Sequence, residues 1–481
     1  MTELEKLNEI PVYHYFLEIS KIPRGSGNRE AIAEYVAKTL RELGAESYID
    51  REKNVIARVK ASEGCENAPV VMLQGHLDMV AEKDECSDHD FRKDPLHLIL
   101  EGDNLHADHT TLGADDGTAV ALMMALAGDR TLVHPELELV FTSDEETGMD
   151  GAMGLDLSAS KAKYLLNLDN ESEAVFTVSC AGGARFNGEI PLAREEKTGT
   201  VYEIEVRSKV GGHSGTEIHW DRPNTNMVAA ELLLDLFEND AELGFLSIRG
   251  GLADNAIPMR TVLCVMTEKP FDLPALEAKY RQEYATTDDN VTFTILSKKP
   301  SEKAAAVTGA CLKNLIEYAV MLPNGTIDFN HEIKDLTETS LNFGIFETTE
   351  DRFIARTCVR SSVESKKERL LKRLSFMTEK CGGTWGIEGS HPGWAYKKDS
   401  KFRDEAVRLW NEMYPENPAK VVAIHAGLEC GILLDKKPDL DIIAIGPTAH
   451  AIHTPKETLS VSSVARVEAF VKRFLSEIAK W

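Results

Sequence analysis

His76 and Asp78 stand two residues apart, directly after the short apolar run Pro69–Leu73. The arrangement recurs along the chain. Glu136–Phe141 is followed by the adjacent pair Glu145 and Glu146, Tyr164–Leu168 by Asp169, and Asp441–Ile445 by a loop ending in His453. Another acidic pair, Asp115 and Asp116, lies within Gly113–Gly117, ahead of the apolar helical stretch that begins at Thr118. Two imidazoles and several carboxylates, with no thiolate among them, suit borderline divalent cations such as Zn, Mn or Co. The His-x-Asp spacing has a mechanical reason, because a metal-bound imidazole usually gives its other N–H to a carboxylate. Successive side chains near a strand end point differently, so one of two adjacent glutamates can ligate while the other faces a water. Two cations roughly 3.5–4 Å apart would need a bridging carboxylate between them. Taken singly, each residue has an ordinary explanation: a packed or surface histidine, a solvated turn, a helix N-cap. Together they favour a metal site, because ligands of open α/β sheets bind beyond the carboxyl ends of the strands.

The elements that must position these residues show two textures. Ala31–Gly44 reads as an amphipathic helix with Ile32, Val36, Leu40 and Leu43 on one face. Fully apolar runs of strand length, separated by helices, predict buried parallel strands. The chain ends in the same way, with strands Lys420–Ile424 and Asp441–Ile445 and a helix over Ser460–Lys480. The middle differs. Strand Val201–Arg207, helix Asn226–Glu238, strands Gly244–Ile248 and Arg260–Met266, helix Asp272–Ala285 and strand Asn290–Leu296 give the order β-α-β-β-α-β. A second pass follows, with helix Lys303–Val320, strands Ser340–Phe346 and Arg352–Val359, helix Lys366–Lys380 and strand Thr384–Ile387. The expected fold is therefore α/β, a mixed and mainly parallel sheet flanked by helices, interrupted by a doubled ferredoxin-like α+β lid. The catalytic domain would comprise residues 1–186 and 389–481, and the lid residues 187–388.

Composition narrows the function classes. The 481 residues carry 54 Lys and Arg against 79 Asp and Glu, a formal net charge of −25. Nucleic-acid and anionic-membrane binders usually present a basic face, so neither partner is expected. The eight cysteines are scattered without a C-x-x-C pair, which speaks against a disulfide framework and a thiolate zinc site. The acidic, polar N-terminal segment predicts no secretory signal, and apolar stretches such as Ala119–Ala127 fall well short of the roughly 20 residues that span a bilayer. A soluble, cytoplasmic protein is expected.

The ordered motifs GHLDMV (75–80), GADDG (113–117), SDEETG (143–148), NLDNE (167–171), GGHSG (211–215) and HTP (453–455) resemble those of the M20 metallopeptidases. TTLGADDG (110–117), SCAGG (179–183) and HAGLECG (425–431) are most similar to the aminoacyl-histidine dipeptidase branch (Xaa-His dipeptidases). The resemblance spans nearly the whole chain. It implies two divalent metal ions, Zn first and Mn or Co as alternatives. One would be held by His76 and Asp169 and the other by Glu146 and His453, with Asp115 bridging. It further implies that Asp78 orients His76, that Glu145 is the general base, and that the Asp115–Asp116 peptide is cis. His213 of the lid would donate to the oxyanion, while Arg360, Asn255 and Gly427 would contact the substrate. The implied activity is hydrolysis of dipeptides and short peptides with a free C-terminal carboxylate, Xaa-His among them; an N-acyl-amino-acid deacylase or aminotripeptidase would use the same metal site. A non-catalytic metal binder would lack the base, and Glu145 is present. The chain departs from the branch at His109, where relatives generally carry Gly, and at Asp116, where they carry Asn. His109 is expected to lie at the periphery, and His89, His97, His106, His134 and His331 at the surface; the roles of Asp116, His425 and His450 stay open. The doubled lid either replaces, within one chain, the lid pairing that single-lid relatives reach by dimerising, or supports a homodimer of its own.

Overall fold

In the computed structural model, which describes residues 3–288, 290–334 and 336–481, the apolar runs are buried strands. Val71–His76 lies between Leu137–Thr142 and Tyr164–Asn167, parallel to both, and Asp441–Ala444 runs parallel to Tyr164–Asn167 on the far side. Every residue of Val71–His76 and of Leu137–Thr142 is buried, as the continuous apolar pattern of a doubly covered sheet requires. The eight-stranded sheet is completed by Glu46–Ile49 and Val55–Val59, antiparallel at one side, and by Val175–Cys180, antiparallel to Asp441–Ala444, and Lys420–Ile424 at the other. Helix Ala114–Gly128 is apolar all round and packs against strand Val71–His76 and against helices Pro11–Ile19, Glu30–Glu42 and Val461–Ile478. A helix buried on every side has no polar face. The Ser460 side chain caps the C-terminal helix by accepting the N–H of Ser463.

The chain forms two compact units. One comprises residues 1–179, 396–423 and 429–481, and the other 180–395 and 424–428. The crossings fall at 179/180 and 395/396, not at 186/187 and 388/389, and the segment around Gly427 belongs to the second unit.

That second unit explains the shift. Its main sheet runs in the order Thr292–Ala306, Glu195–Arg207, Arg260–Met266, Gly244–Gly250, Thr337–Thr348, Arg352–Ser361, Gly182–Pro191, Thr384–His391. The first four strands, with helices Thr225–Asn239 and Leu273–Glu283, make one β-α-β-β-α-β half. The last four, with helices Gly309–Met321 and Glu364–Lys380, make the other, in mirrored strand order. Its first strand is Gly182–Pro191, which precedes the whole inner half in the chain and pairs antiparallel with Arg352–Ser361. The halves are thus nested. They meet edge to edge where Arg249 and Gly250 pair with Glu347 and Phe346. Their helices share one core that includes Leu232, Leu236, Leu312, Ile316, Phe343 and Leu374. The helix expected over Lys303–Val320 begins only at Gly309, because Lys303–Ala306 instead continues a strand paired with Thr198–Glu195.

No helix among the described residues is long and apolar enough to cross a membrane.

Candidate metal centre

Because the four central strands are parallel, their carboxyl ends lie along one edge. His76 ends the first, Asp144, Glu145 and Glu146 follow the second, Asp169 follows the third, and the loop after the fourth leads to His453. Asp115 joins them from the start of helix Ala114–Gly128, where it and Asp116 have non-helical backbone and share a cis peptide bond.

Asp115 is the meeting point. His76 Nε2 lies 2.9 Å from its Oδ1, and His453 Nε2 lies 3.2 Å from its Oδ2. His453 Nε2 is also 3.1 Å from Glu146 Oε1. Asp115, Glu146 and His453 form one group with ligand atoms mutually within 4.8 Å, His76, Asp116 and Asp169 form a second, and His76, Glu145 and Glu146 a third. One carboxylate therefore offers an oxygen to each of two histidine-centred donor sets. His453 itself has a φ of 61° and Asp144 one of 51°, in the left-handed region that non-glycine residues rarely adopt.

The surrounding side chains fix this arrangement. Asp78 Oδ1 stands 3.4 Å from His76 Nδ1 and accepts the Glu145 N–H at 3.0 Å, while Oδ2 accepts from Ser26 Oγ at 2.7 Å. Arg24 is wholly buried; its Nη1 donates to the C=O of Leu77 and Asp78, and its Nη2 to that of Gly113. Glu457, four residues beyond His453, accepts the N–H groups of Leu112 (2.7 Å), Gly113 (3.0 Å) and Ala114 (2.8 Å). It thereby ties the segment carrying His453 to the one carrying Asp115. Beneath them Glu429, fully buried, accepts from Gln74 Nε2 and Thr142 Oγ1, each at 2.6 Å. Gly75 has no room for a side chain, since a Cβ there would lie 2.3 Å from Asp116 Oδ2 and 2.6 Å from the Ala119 Cβ.

The electrostatics are those of a site short of positive charge. Burial, then the Asp115 charge, raises the Asp169 carboxyl well above its ordinary range; burial and Asp169 do the same to Asp116. Glu145 is pushed up to about 8, by burial first and then by Glu429, Glu146 and Asp115 against the opposing pull of His76. Burial opposes charge on His76 and on Asp115, yet their mutual hydrogen bond and those to Asp78 and His453 prevail. The imidazole rises and the Asp115 carboxyl falls. Hydrogen bonds to Asp115 and Glu146 raise His453 to about 10. Nitrogen and oxygen donors crowded together with this much buried negative charge are a set that divalent metals fit.

The second unit carries its own polar cluster. His213 Nδ1 accepts the N–H of Gly215 (3.3 Å) and of Thr216 (3.2 Å), which leaves the ring proton on Nε2. Burial, then the Arg360 charge, lowers its pKa and keeps it neutral. His425 is buried against Ser340 Oγ at 2.7 Å, and burial and Arg360 depress it to about 3. Arg360 Nε is buried with no hydrogen-bond partner among the described residues, a guanidinium face left unsatisfied. Asn255 holds the His213 segment through its backbone C=O, which accepts the Ser214 N–H at 2.9 Å; the residue itself is exposed. Gly427 lies against the His391 ring, which a Cβ at 427 would approach to 2.9 Å.

The structure thus brings together His76, Asp78, Asp115, Glu145, Glu146, Asp169 and His453 in one unit. In the other it gathers His213, Arg360 and His425. Asp116, left without a role by its sequence, lies with His76 and Asp169. His109 is exposed and paired with Asp84. His134, expected at the surface, is buried, its Nδ1 2.7 Å from the Pro135 C=O. Arg24, Glu429 and Glu457 carry no expectation of their own in the sequence, although Glu429 lies within HAGLECG and Glu457 follows HTP in the same short loop.

Comparison with known proteins identifies the family. Residues 72–477 match the model of Peptidase family M20/M25/M40. The chain is 32% identical to the cytosol non-specific dipeptidase of Escherichia coli (strain K12), over 99% of each protein. Its structure superposes on that of aminoacylhistidine dipeptidase from Vibrio alginolyticus with a TM-score of 0.93 at 29% identity, covering 99% of this chain and 98% of the other. Aminopeptidase PepT from Bacillus cereus shares the fold, with a TM-score of 0.57 at 15% identity and 98% of both chains covered. With its motifs in order, its site assembled at the parallel strand ends and its full length matched, the chain belongs to peptidase family M20/M25/M40.

Proposed function

We propose that this protein is a cytoplasmic dipeptidase that uses two divalent metal ions, Zn first among them, to hydrolyse dipeptides with a free C-terminal carboxylate, including Xaa-His. The observation that carries the reading is the sharing of Asp115, one oxygen toward His76 at 2.9 Å and the other toward His453 at 3.2 Å. His76, Asp169 and Asp115 would hold one ion, and Glu146, His453 and Asp115 the other. When bound, the ions supply Lewis acidity and make water a nucleophile near neutral pH.

The chain's own residues supply the rest. Asp78 orients His76 through Nδ1 and positions the Glu145 backbone through its N–H. Glu145, whose carboxyl is pushed up to about 8 before any cation is present, takes a proton from the attacking water and returns it to the leaving amine. His213, neutral and with its N–H on Nε2, is the kind of donor a developing oxyanion needs. Arg360 offers a fork to the substrate carboxylate, with Asn255 and Gly427 as further contacts. The relatives named as dipeptidases, matched over their full length, support this assignment.

A panel of β-alanyl-His, Gly-His, Leu-Gly and N-acetyl amino acids, assayed with added Zn, Mn or Co after chelation, tests it. Turnover of the dipeptides alone is expected. Preference for N-acetyl amino acids would replace the reading with a deacylase, and activity insensitive to chelation would end it.

A further inference from the structure

A second convergence of metal-binding side chains lies outside the centre described above. Segments 82–86 and 107–111 run antiparallel, with Lys83 bridged to Thr110. The Asp84 N–H donates to the His109 C=O at 3.0 Å, and the Thr111 N–H to the Glu82 C=O at 2.9 Å. This short ladder sets Asp84 across from His109. A turn closed by the Ser87 N–H on the Asp84 C=O at 3.0 Å folds Cys86 back beside them. The outcome is that His109 Nδ1 lies 2.8 Å from Asp84 Oδ2 and 3.8 Å from Cys86 Sγ, and the three ligand atoms are all within 4.8 Å of one another.

His109 also has an uncommon backbone. Its φ of 56° lies in the left-handed region that favours glycine, so a bulky imidazole occupies a position the backbone alone would give to a residue without a Cβ. Its side chain is what that position gains. The ring faces the thiol and one carboxylate with Nδ1, while Nε2 stands 3.7 Å from Asp108.

We propose that Cys86, His109 and Asp84 form a third cation site, for a thiophilic divalent ion of the zinc class. The donor set is S, N and O, in contrast to the purely N and O set around Asp115. A thiolate shifts preference toward softer cations and away from Mg, Ca and Mn. With the Asp84 and His109 side chains 45% and 54% exposed, solvent can supply the fourth ligand of a tetrahedral site. On binding, the Cys86 S–H bond breaks and its proton, together with any proton held between His109 and Asp84, passes to solvent; the sulfur and Nδ1 lone pairs go to the cation, with no change of oxidation state. The ion would clamp segment 82–86 to the segment that runs on through Thr111 to Asp115. Thr111 Oγ1 already donates to the Val80 C=O there at 2.7 Å.

Titration of the chelator-stripped full-length protein with Co2+ tests the site, because only a thiolate ligand gives an intense near-ultraviolet sulfur-to-cobalt charge-transfer band. The wild type is expected to show the band. Cys86→Ser should lose it, and His109→Gly, which relieves the backbone, should weaken it at least tenfold at equal Co2+. Both variants should hold one fewer tightly bound Zn per chain and keep wild-type dipeptide turnover. No band in the wild type, a band that persists in Cys86→Ser, or one indifferent to His109→Gly would each overturn the proposal. The dinuclear centre has no thiolate, so its failure would appear instead as absent turnover, separable from the band.

Discussion

Asp78 accepts the backbone N–H of Glu145 at 3.0 Å on the same carboxylate oxygen that stands 3.4 Å from His76 Nδ1. The group that orients a candidate ligand therefore also fixes the origin of the candidate base. Replacing Asp78 by Ala should lower metal affinity about 10–100-fold and displace Glu145 as well, so that turnover at saturating metal stays depressed. Metal titration beside kinetics at high metal separates the two effects; full recovery at high metal would show that Asp78 serves the ligand alone.

Glu145→Gln keeps the size of the side chain and removes its basicity. It is expected to retain two metal ions per chain while kcat falls about 10²–10⁴-fold. Near wild-type kcat would exclude Glu145 as the base.

His213→Ala should cut kcat about 10²–10³-fold and leave metal content unchanged, since its neighbours are Glu217, Gly215, Thr216 and Arg360. Metal loss preceding the kinetic effect would place this histidine among the ligands.

The metal-free protein should lose stability as pH rises. Glu145 is raised from 4.5 to about 8, so its neutral form favours the folded state below 4.5, and that contribution is lost as pH climbs through 8. His453 is raised from 6.5 to about 10 and acts in the same sense, its contribution fading as pH rises through 10. With chelator present, Tm should fall from about pH 5 to about pH 9, and divalent metal should flatten the slope by replacing the protons. A chelated protein whose Tm climbs over that range would contradict these shifts.

Gly75→Ala introduces a methyl 2.3 Å from Asp116 Oδ2, beside the backbone of His76. Destabilisation of about 1–3 kcal/mol is expected, together with weaker metal binding, because the His76 N–H that Asp116 accepts at 3.1 Å is displaced with it. Urea unfolding and metal titration of the variant measure the two.

Much of this site was legible because the residues that carry it follow apolar runs, and such runs become the buried parallel strands whose ends converge. What escaped the sequence depends on long-range pairing. Strand Gly182–Pro191 has no local sign that it belongs with Arg352–Ser361, so the sequence suggests two successive passes where the halves of the second unit are nested. Lys303–Ala306 has alanine-rich helix propensity, and pairing with Thr198–Glu195 overrides it. Arg24, Glu429 and Glu457 look like any polar residue until folding buries them; Arg24 takes three carbonyls as partners and Glu457 four N–H groups, that of Asp115 among them. His134 is hidden for the same reason.

Nesting also dictates an order of assembly as the chain leaves the ribosome. The inner half closes on contacts contained within residues 195–306, so it can form as soon as that stretch emerges. Strand Gly182–Pro191 is made earlier, yet its partners Arg352–Ser361 and Thr384–His391 are made only after the inner half is complete. During that interval it waits with both edges bare, the condition in which a strand recruits the wrong neighbour. Synthesis that stalls between the two halves would therefore leave a folded inner half tethered to a sticky strand, a window in which a chaperone has something specific to hold.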